Sequence, residues 1–121
     1  MSLTILTVDD SRTMREMLRL ALADAGFEVL QAEDGVHGLE VLELAAPDVI
    51  VTDINMPRMD GFGFIEEVRG DPRHRVTPIL VLTTESDGVK KNRARMAGAT
   101  GWIVKPFNPV TLVDAIRRVA A

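Results

Sequence analysis

Residues 48–61 read DVIVTDINMPRMDG. Val49, Ile50, Val51 and Thr52 form an unbroken β-branched run, the composition of a strand covered on both faces. The run ends on a carboxylate, Asp53, and then enters a turn that contains Pro57 and closes at Gly61. An apolar strand that delivers an acid to its tip is a rigid mount for that acid. Parallel α/β sheets place their sites at this point, beyond the carboxyl ends of the strands.

On either side of this stretch, short apolar runs alternate with longer helical patterns. The other runs are Leu3 to Val8 (LTILTV), Phe27 to Gln31 (FEVLQ), Ile79 to Thr83 (ILVLT) and Trp102 to Val104 (WIV). FEVLQ alternates apolar and polar residues, which places it at a sheet edge. Between the runs the apolar period is near 3.6. Met14, Met17, Leu18, Ala21, Leu22 and Ala25 make one stripe, and Gly26 supplies its C-terminal cap. Val36, Leu39, Leu42 and Ala46 make a second stripe, ended by Pro47. GFIEEVRG is a third helix, and the last opens at Asn108 as cap with Pro109 in its first turn, burying Leu112, Val113, Ile116 and Val119. The fourth helical segment, DGVKKNRARMAG, is basic and poor in apolar positions, so it is expected to be the least stable helix.

Strands alternating with helices specify an α/β fold, a doubly wound five-stranded parallel sheet with five helices on its two faces. Right-handed crossovers leave few strand orders, of which 2-1-3-4-5 is favoured, with the winding reversal between strands 1 and 3. The 121 residues, 46% hydrophobic and 26% charged, fit one domain with one core, and residues 1–121 are read as a single domain. A net charge of −4 argues against a nucleic-acid partner. The absence of cysteine excludes a disulfide framework, a thiolate metal site and a thiol nucleophile. No apolar run approaches membrane length and the N-terminus lacks a leader pattern, so a cytoplasmic monomer without membrane attachment is expected.

In that order the strand tips bring chemistry together. Strand 1 ends in Asp9 and Asp10, strand 3 in Asp53, strand 4 in Thr83 and Thr84, and strand 5 in Lys105 and Pro106. Three converging carboxylates repel one another unless a cation neutralises them. Carboxylates without histidine or cysteine suit Mg²⁺. With Lys105 and the Thr83 hydroxyl opposite, the cluster can hold a phosphoryl group, and Asp53 is the candidate nucleophile for an aspartyl phosphate. Asp34 and Asp60 are read as turn or cap residues, and His37 and His74 as surface histidines. The basic run Lys90 to Arg95 adjoins Trp102 and is weighed as a partner surface as well as a solvated face.

VDD after strand 1, DINMPRMDG after strand 3, LTT after strand 4 and KPF after strand 5 resemble the receiver domains of two-component response regulators. The resemblance spans the chain and is strongest to CheY-type chemotaxis regulators, flavodoxin-like receivers without an output domain. It implies that Asp53 accepts a phosphoryl group from a histidine kinase (CheA-like). Mg²⁺ would be held by Asp10, Asp53 and the backbone carbonyl of Asn55, with Asp9 acting mainly through water. Lys105 would pair with the phosphoryl oxygens, its bond to Pro106 being cis. Thr83 and Trp102 would form the switch, and most such regulators carry tyrosine or phenylalanine where Trp102 stands. Asn55 and Glu85 would tune dephosphorylation. Output would run through the face of helix 4, strand 5 and helix 5, where Lys90, Lys91, Arg93 or Arg95 join Trp102, and the flagellar motor switch is a candidate partner.

Other readings fit less well. A Mg²⁺-dependent phosphohydrolase of the haloacid-dehalogenase type has a second acid two residues beyond the nucleophile, where this chain has Asn55. A flavin carrier on the same fold needs a hydroxyl- and glycine-rich loop after strand 1, where this chain has VDDSR. A phosphate-sink regulator, or a receiver cut from a longer regulator, would share every motif above.

Overall fold

The computed structural model describes residues 2–121. Its strands are β1 (Thr4–Val8), β2 (Glu28–Ala32), β3 (Val49–Thr52), β4 (Ile79–Thr83) and β5 (Gly101–Val104). Its helices are α1 (Arg12–Asp24), α2 (Gly35–Leu44), α3 (Gly61–Gly70), α4 (Gly88–Ala97) and α5 (Pro109–Ala120). The sheet is parallel throughout, in the order β2-β1-β3-β4-β5, as the sequence predicts. Every residue of β3 and β4 is buried, whereas the edge strands β2 and β5 are mostly half-buried.

Successive side chains of each strand feed opposite faces. Leu6, Val8, Ile50 and Val81 pack with Phe64, Ile65 and Val68 on one side. Ile5, Val49, Val51, Leu80 and Leu82 pack with Leu18, Leu22, Leu112 and Ile116 on the other. This division explains why the inner strands lack alternation.

The caps follow the sequence closely. Ser11, Asp34, Asp60, Asp87 and Asn108 each accept a backbone N–H in the first turn of a helix. Gly26 ends α1 at φ 92°, a left-handed conformation that glycine adopts without steric cost. With Asp60 as its cap, α3 starts at Gly61, two residues ahead of the predicted GFIEEVRG. Helix α2 stops at Leu44, so Ala46 lies outside it and is exposed. In α1 the predicted stripe is narrower than its pattern: Leu18 and Leu22 are fully buried, but Met17 is half exposed. Helix α4 buries Ala94 alone completely, the thin contact expected of the weakest helix.

Two features lie outside the sequence reading. A 3₁₀ turn, Pro72–His74, follows α3, and it carries His74 inside the protein with 3% exposure, so His74 is not a surface histidine. Its Nδ1 is 3.1 Å from the Thr77 hydroxyl, the polar partner that burial demands. The second feature is Arg69 of α3. Its Nε and Nη2 donate to the Gly98 carbonyl at 3.0 and 2.9 Å, and Nη1 donates to the carbonyls of His74 and Thr77, both at 2.7 Å. One guanidinium thereby caps the C-terminal end of α4 and fastens the 3₁₀ turn. Burial lowers the Arg69 pKa.

Candidate functional site

Strand register brings the site residues together. Val8 pairs with Thr52, so Asp9 and Asp53, one step beyond, are neighbours. The Asp53 N–H donates to the Val8 carbonyl at 2.9 Å, and the Lys105 N–H to the Thr83 carbonyl at 2.7 Å. Gly61 packs against the back of the acid: a Cβ there would lie 2.3 Å from the Asp53 carbonyl oxygen. Only a glycine lets α3 start that close to the Asp53 backbone.

Asp9 and Asp53 are buried, and Asp10 is exposed. An oxygen from each of the three lies within 4.8 Å of the others. Lys105 Nζ donates to Asp9 Oδ2 and to Asp53 Oδ2, both at 2.8 Å, with its side chain only 9% exposed. The second oxygens are also held: Asp9 Oδ1 accepts the Ser11 N–H at 2.8 Å and Asp53 Oδ1 the Ile54 N–H at 2.6 Å. Burial raises the Asp9 pKa, and the bonds from Lys105 and Ser11 only partly offset it. Burial opposes the charge on Lys105, but the bonds to Asp53 and Asp9 outweigh it and its pKa stays raised. The Lys105–Pro106 peptide is cis.

The donor set fits a hard divalent cation: three carboxylates, no sulfur or imidazole among them, and one exposed member open to solvent. Asp9, Asp10 and Asp53 would hold Mg²⁺. Lys105 sets one positive charge against this cluster, on the Asp9 and Asp53 side.

Glu85, expected with Asn55 to tune dephosphorylation, is also a junction whose backbone contacts the sequence did not reveal. Its N–H donates to the fully buried Thr83 hydroxyl at 3.3 Å, and its carbonyl accepts the Trp102 indole N–H at 3.1 Å. Its carboxylate accepts from Asn55 Nδ2 at 3.1 Å and pairs with Lys90 Nζ at 3.1 Å. The Asn55 hydrogen bond, with Lys90 behind it, lowers the Glu85 pKa. The signal available in sequence was only the two-residue step from Thr83 to Glu85. Trp102 is half-buried against the core side of α3 and α4.

The basic residues of α4 separate into three environments. Lys91 and Arg95 line a pocket of about 310 Å³ with Trp102. Lys90 is engaged by Glu85, and Arg93 stacks 4.1 Å above the Phe62 ring, towards α3. A further contact escaped the sequence reading, in which Asp34 stood alone. Arg58 Nε and Nη2 donate to the two Asp34 oxygens at 2.7 and 3.0 Å, and the Gly35 N–H reaches the Met59 carbonyl at 3.3 Å. These bonds hang the loop after β3 from the start of α2, with Arg58 at φ 64°. Arg15 Nη1 donates to the Asp9 carbonyl at 2.7 Å, another second support.

Comparison with known proteins places this geometry. The profile of the response regulator receiver domain matches residues 5–117. The chain is 41% identical over 117 residues to chemotaxis protein CheY1 of Helicobacter pylori, covering 95% of this chain and 94% of that protein. Its fold matches the crystallised chemotaxis protein CheY4 of Vibrio cholerae with a TM-score of 0.94 at 47% identity, covering 98% of this chain and 99% of that one. It also matches the receiver domain of a Pseudomonas aeruginosa PAO1 sensor histidine kinase with a magnesium ion coordinated in its active-site cleft. That match has a TM-score of 0.92 at 25% identity, over 99% of this chain and 98% of the other.

Proposed function

The chain belongs to the response regulator receiver family and is of the CheY type, and from that premise we propose that Asp53 is the carboxylate that takes the phosphoryl group. The observation that carries the assignment is the Lys105 ammonium, 2.8 Å from both Asp53 and Asp9. Asp53 stands at the tip of a fully buried strand, with its N–H bonded to Val8 and its carbonyl packed against Gly61.

An oxygen of Asp53 attacks phosphorus on the phosphohistidine of a kinase of the CheA class. The new O–P bond forms as the P–N bond breaks, and the electron pair leaves with the imidazole. Lys105 stays within reach of the charge that moves onto the phosphoryl oxygens. Asp10, Asp53 and the Asn55 carbonyl, with Asp9 behind, would hold Mg²⁺, which would supply further charge neutralisation. The protein contributes positioning more than covalent chemistry, so it is a phosphoacceptor regulator and not an enzyme acting on other substrates.

Thr83, Glu85 and Trp102 form the link from the acid to the α4–β5–α5 face. Thr83 is buried at the tip of β4 and holds the Glu85 backbone, which in turn holds the indole. Movement of the Thr83 hydroxyl toward a phosphoryl group breaks its bond to Glu85 and frees the Trp102 contact. Lys91 and Arg95 beside Trp102 then present an altered basic surface, and a flagellar motor switch protein is the partner that the chemotaxis relatives suggest.

Acetyl phosphate with and without Mg²⁺, read by intact mass, tests the acceptor assignment. Wild type should gain one phosphoryl group only with the ion, and Asp53→Asn should gain none. Phosphorylation of Asp53→Asn at the wild-type rate would overturn the assignment.

A further inference from the structure

The loop between β3 and α3, residues 54–60, carries the Asn55 carbonyl and has no regular structure of its own. Inside it the Met59 N–H bonds to the Pro57 carbonyl at 2.7 Å, and the Gly61 N–H closes it on the Ile54 carbonyl at 2.8 Å. Those two bonds shape the loop without fixing where it stands. Ile54 is buried at its start, whereas Asn55, Pro57 and Arg58 are exposed.

The position of the loop is set from outside, by the start of α2. Arg58 Nε and Nη2 grip both oxygens of Asp34, at 2.7 and 3.0 Å, and Asp34 is only 3% exposed. Asp34 is held in turn, since its Oδ1 also accepts the His37 N–H at 2.9 Å as the cap of α2. Beside this pair the two backbones touch. The Gly35 N–H reaches the Met59 carbonyl at 3.3 Å, and a Cβ at Gly35 would lie 2.8 Å from that oxygen. A two-bond fork fixes direction as well as distance, which a point charge does not. Arg58 makes it from φ 64°, the only positive φ among the described non-glycine residues. An arginine has no local reason to adopt that conformation, so the contact with Asp34 holds it there.

We infer that Arg58 is a positioning residue for Mg²⁺: its fork on Asp34 holds the β3–α3 loop, and the Asn55 carbonyl with it, in place before the ion arrives. The inference rests on the reading that Asp10, Asp53 and the Asn55 carbonyl would hold the ion. The ligands differ in their mounting. Asp53 follows directly on the fully buried β3, but Asn55 lies two residues farther on in irregular backbone, so its carbonyl needs a support of its own. Mg²⁺ demands near-ideal octahedral geometry, so a ligand that wanders costs affinity. Groups that hold a ligand without touching the metal commonly set its affinity in this way.

The test is a titration of the ¹⁵N-labelled full chain with MgCl₂ at constant ionic strength, followed by the amides of Asp10 and Asn55. Wild type should bind the ion saturably. Arg58→Ala should raise the Kd roughly tenfold, the lower end for loss of a group that supports a metal ligand. Arg58→Gly keeps the left-handed conformation open, and Arg58→Gly/Asp34→Asn also keeps a capping side chain on α2 and leaves no buried carboxylate unpaired. Both should weaken binding alike. Plain electrostatics predicts the opposite sign for the single variants, because deleting a positive charge favours a cation. Without the ion, the amides of Asn55, Met56 and Met59 should be less ordered by heteronuclear NOE in the variants than in wild type, and should regain order at saturation. An unchanged or lower Kd in any variant that keeps the wild-type spectrum outside the loop would overturn the inference while leaving the Mg²⁺ site standing. So would loop amides as ordered as in wild type. Wild type without a saturable shift at Asp10 would overturn the Mg²⁺ reading and the role of Arg58 together.

Discussion

Two glycines of α3 should respond to alanine with opposite signs, and the contrast tests how tightly the acid is mounted. At Gly61 a Cβ would meet the Asp53 carbonyl oxygen at 2.3 Å and the Ile54 Cα at 2.8 Å. Both are backbone atoms, so no rotamer change relieves the contact, and the helix start must back away from Asp53 by about 1 Å to restore an ordinary separation. Overpacking of this kind costs about 1–3 kcal/mol, and rigid backbone on both sides places Gly61→Ala near the upper end. At Gly63, two residues on, a Cβ meets only Met59 Cγ at 3.4 Å and Asp60 Oδ1 at 3.6 Å, ordinary contacts. There alanine removes backbone freedom from the unfolded chain and should stabilise by about 0.4–1 kcal/mol. Urea unfolding followed by Trp102 emission gives both values. Phosphorylation by acetyl phosphate should fall by about 10²-fold in Gly61→Ala, the usual scale for a 1 Å misplacement, and stay at the wild-type rate in Gly63→Ala. Wild-type stability in Gly61→Ala, or equal losses in both variants, would refute the claim that Gly61 sets the position of Asp53.

Three other perturbations probe separate contacts. Beryllofluoride with Mg²⁺ should change Trp102 emission, because the indole N–H is bonded to Glu85, and Thr83→Ala should blunt the change. Asn55→Leu should lengthen the phosphoryl lifetime, by roughly tenfold or about 1.4 kcal/mol of barrier, since an apolar side chain cannot orient the attacking water. A lifetime unmoved in Asn55→Leu and in Glu85→Ala would remove that control. The Arg58 hydrogen bonds hold the Asp34 pKa below its ordinary 3.8, so the unfolded chain binds this proton more readily. That contribution to stability is complete above pH 3.8 and fades as pH falls through the folded value. The stability gap between wild type and Arg58→Ala should therefore close in acid, and a gap independent of pH would contradict it.

Most of the fold could be read because each level of the sequence agreed with the next. The β-branched runs of β3 and β4 have a single reading once both faces are covered, and Asn108 followed by Pro109 marks the start of α5. Asp9 and Asp53 were legible for the same reason: each follows directly on a buried strand, while Lys105 follows the half-buried edge strand β5 and was legible from its place before Pro106. What escaped the sequence lies in irregular backbone. The 3₁₀ turn has no periodicity, so nothing in DPRHR shows that His74 turns inward. The Arg58–Asp34 pair spans 24 residues and depends on a left-handed residue in a loop. Glu85 carries its role through its backbone as much as its carboxylate, and backbone contacts leave no mark on residue type. The basic run of α4 looked like one surface because its residues are contiguous, but a helix distributes neighbours around its axis, and Arg93 faces Phe62 while Lys91 and Arg95 face Trp102.

The carbonyl cage around Arg69 also determines how α4 can move. Its C-terminal end is pinned to α3 through Gly98, whereas its N-terminal turn is tied to the body by the solvent-accessible pair of Lys90 and Glu85. A rod fixed at one end swings rather than slides. Ten residues span about 15 Å, so a tilt of about 10° carries the Gly88 end through about 2.6 Å and leaves Ala97 almost in place. A partner that grips α4 near Gly88 therefore feels nearly the whole stroke, and one that grips it near Arg95 feels little. Discrimination between the two signalling states is concentrated in the first turn of a lever whose fulcrum is a single guanidinium.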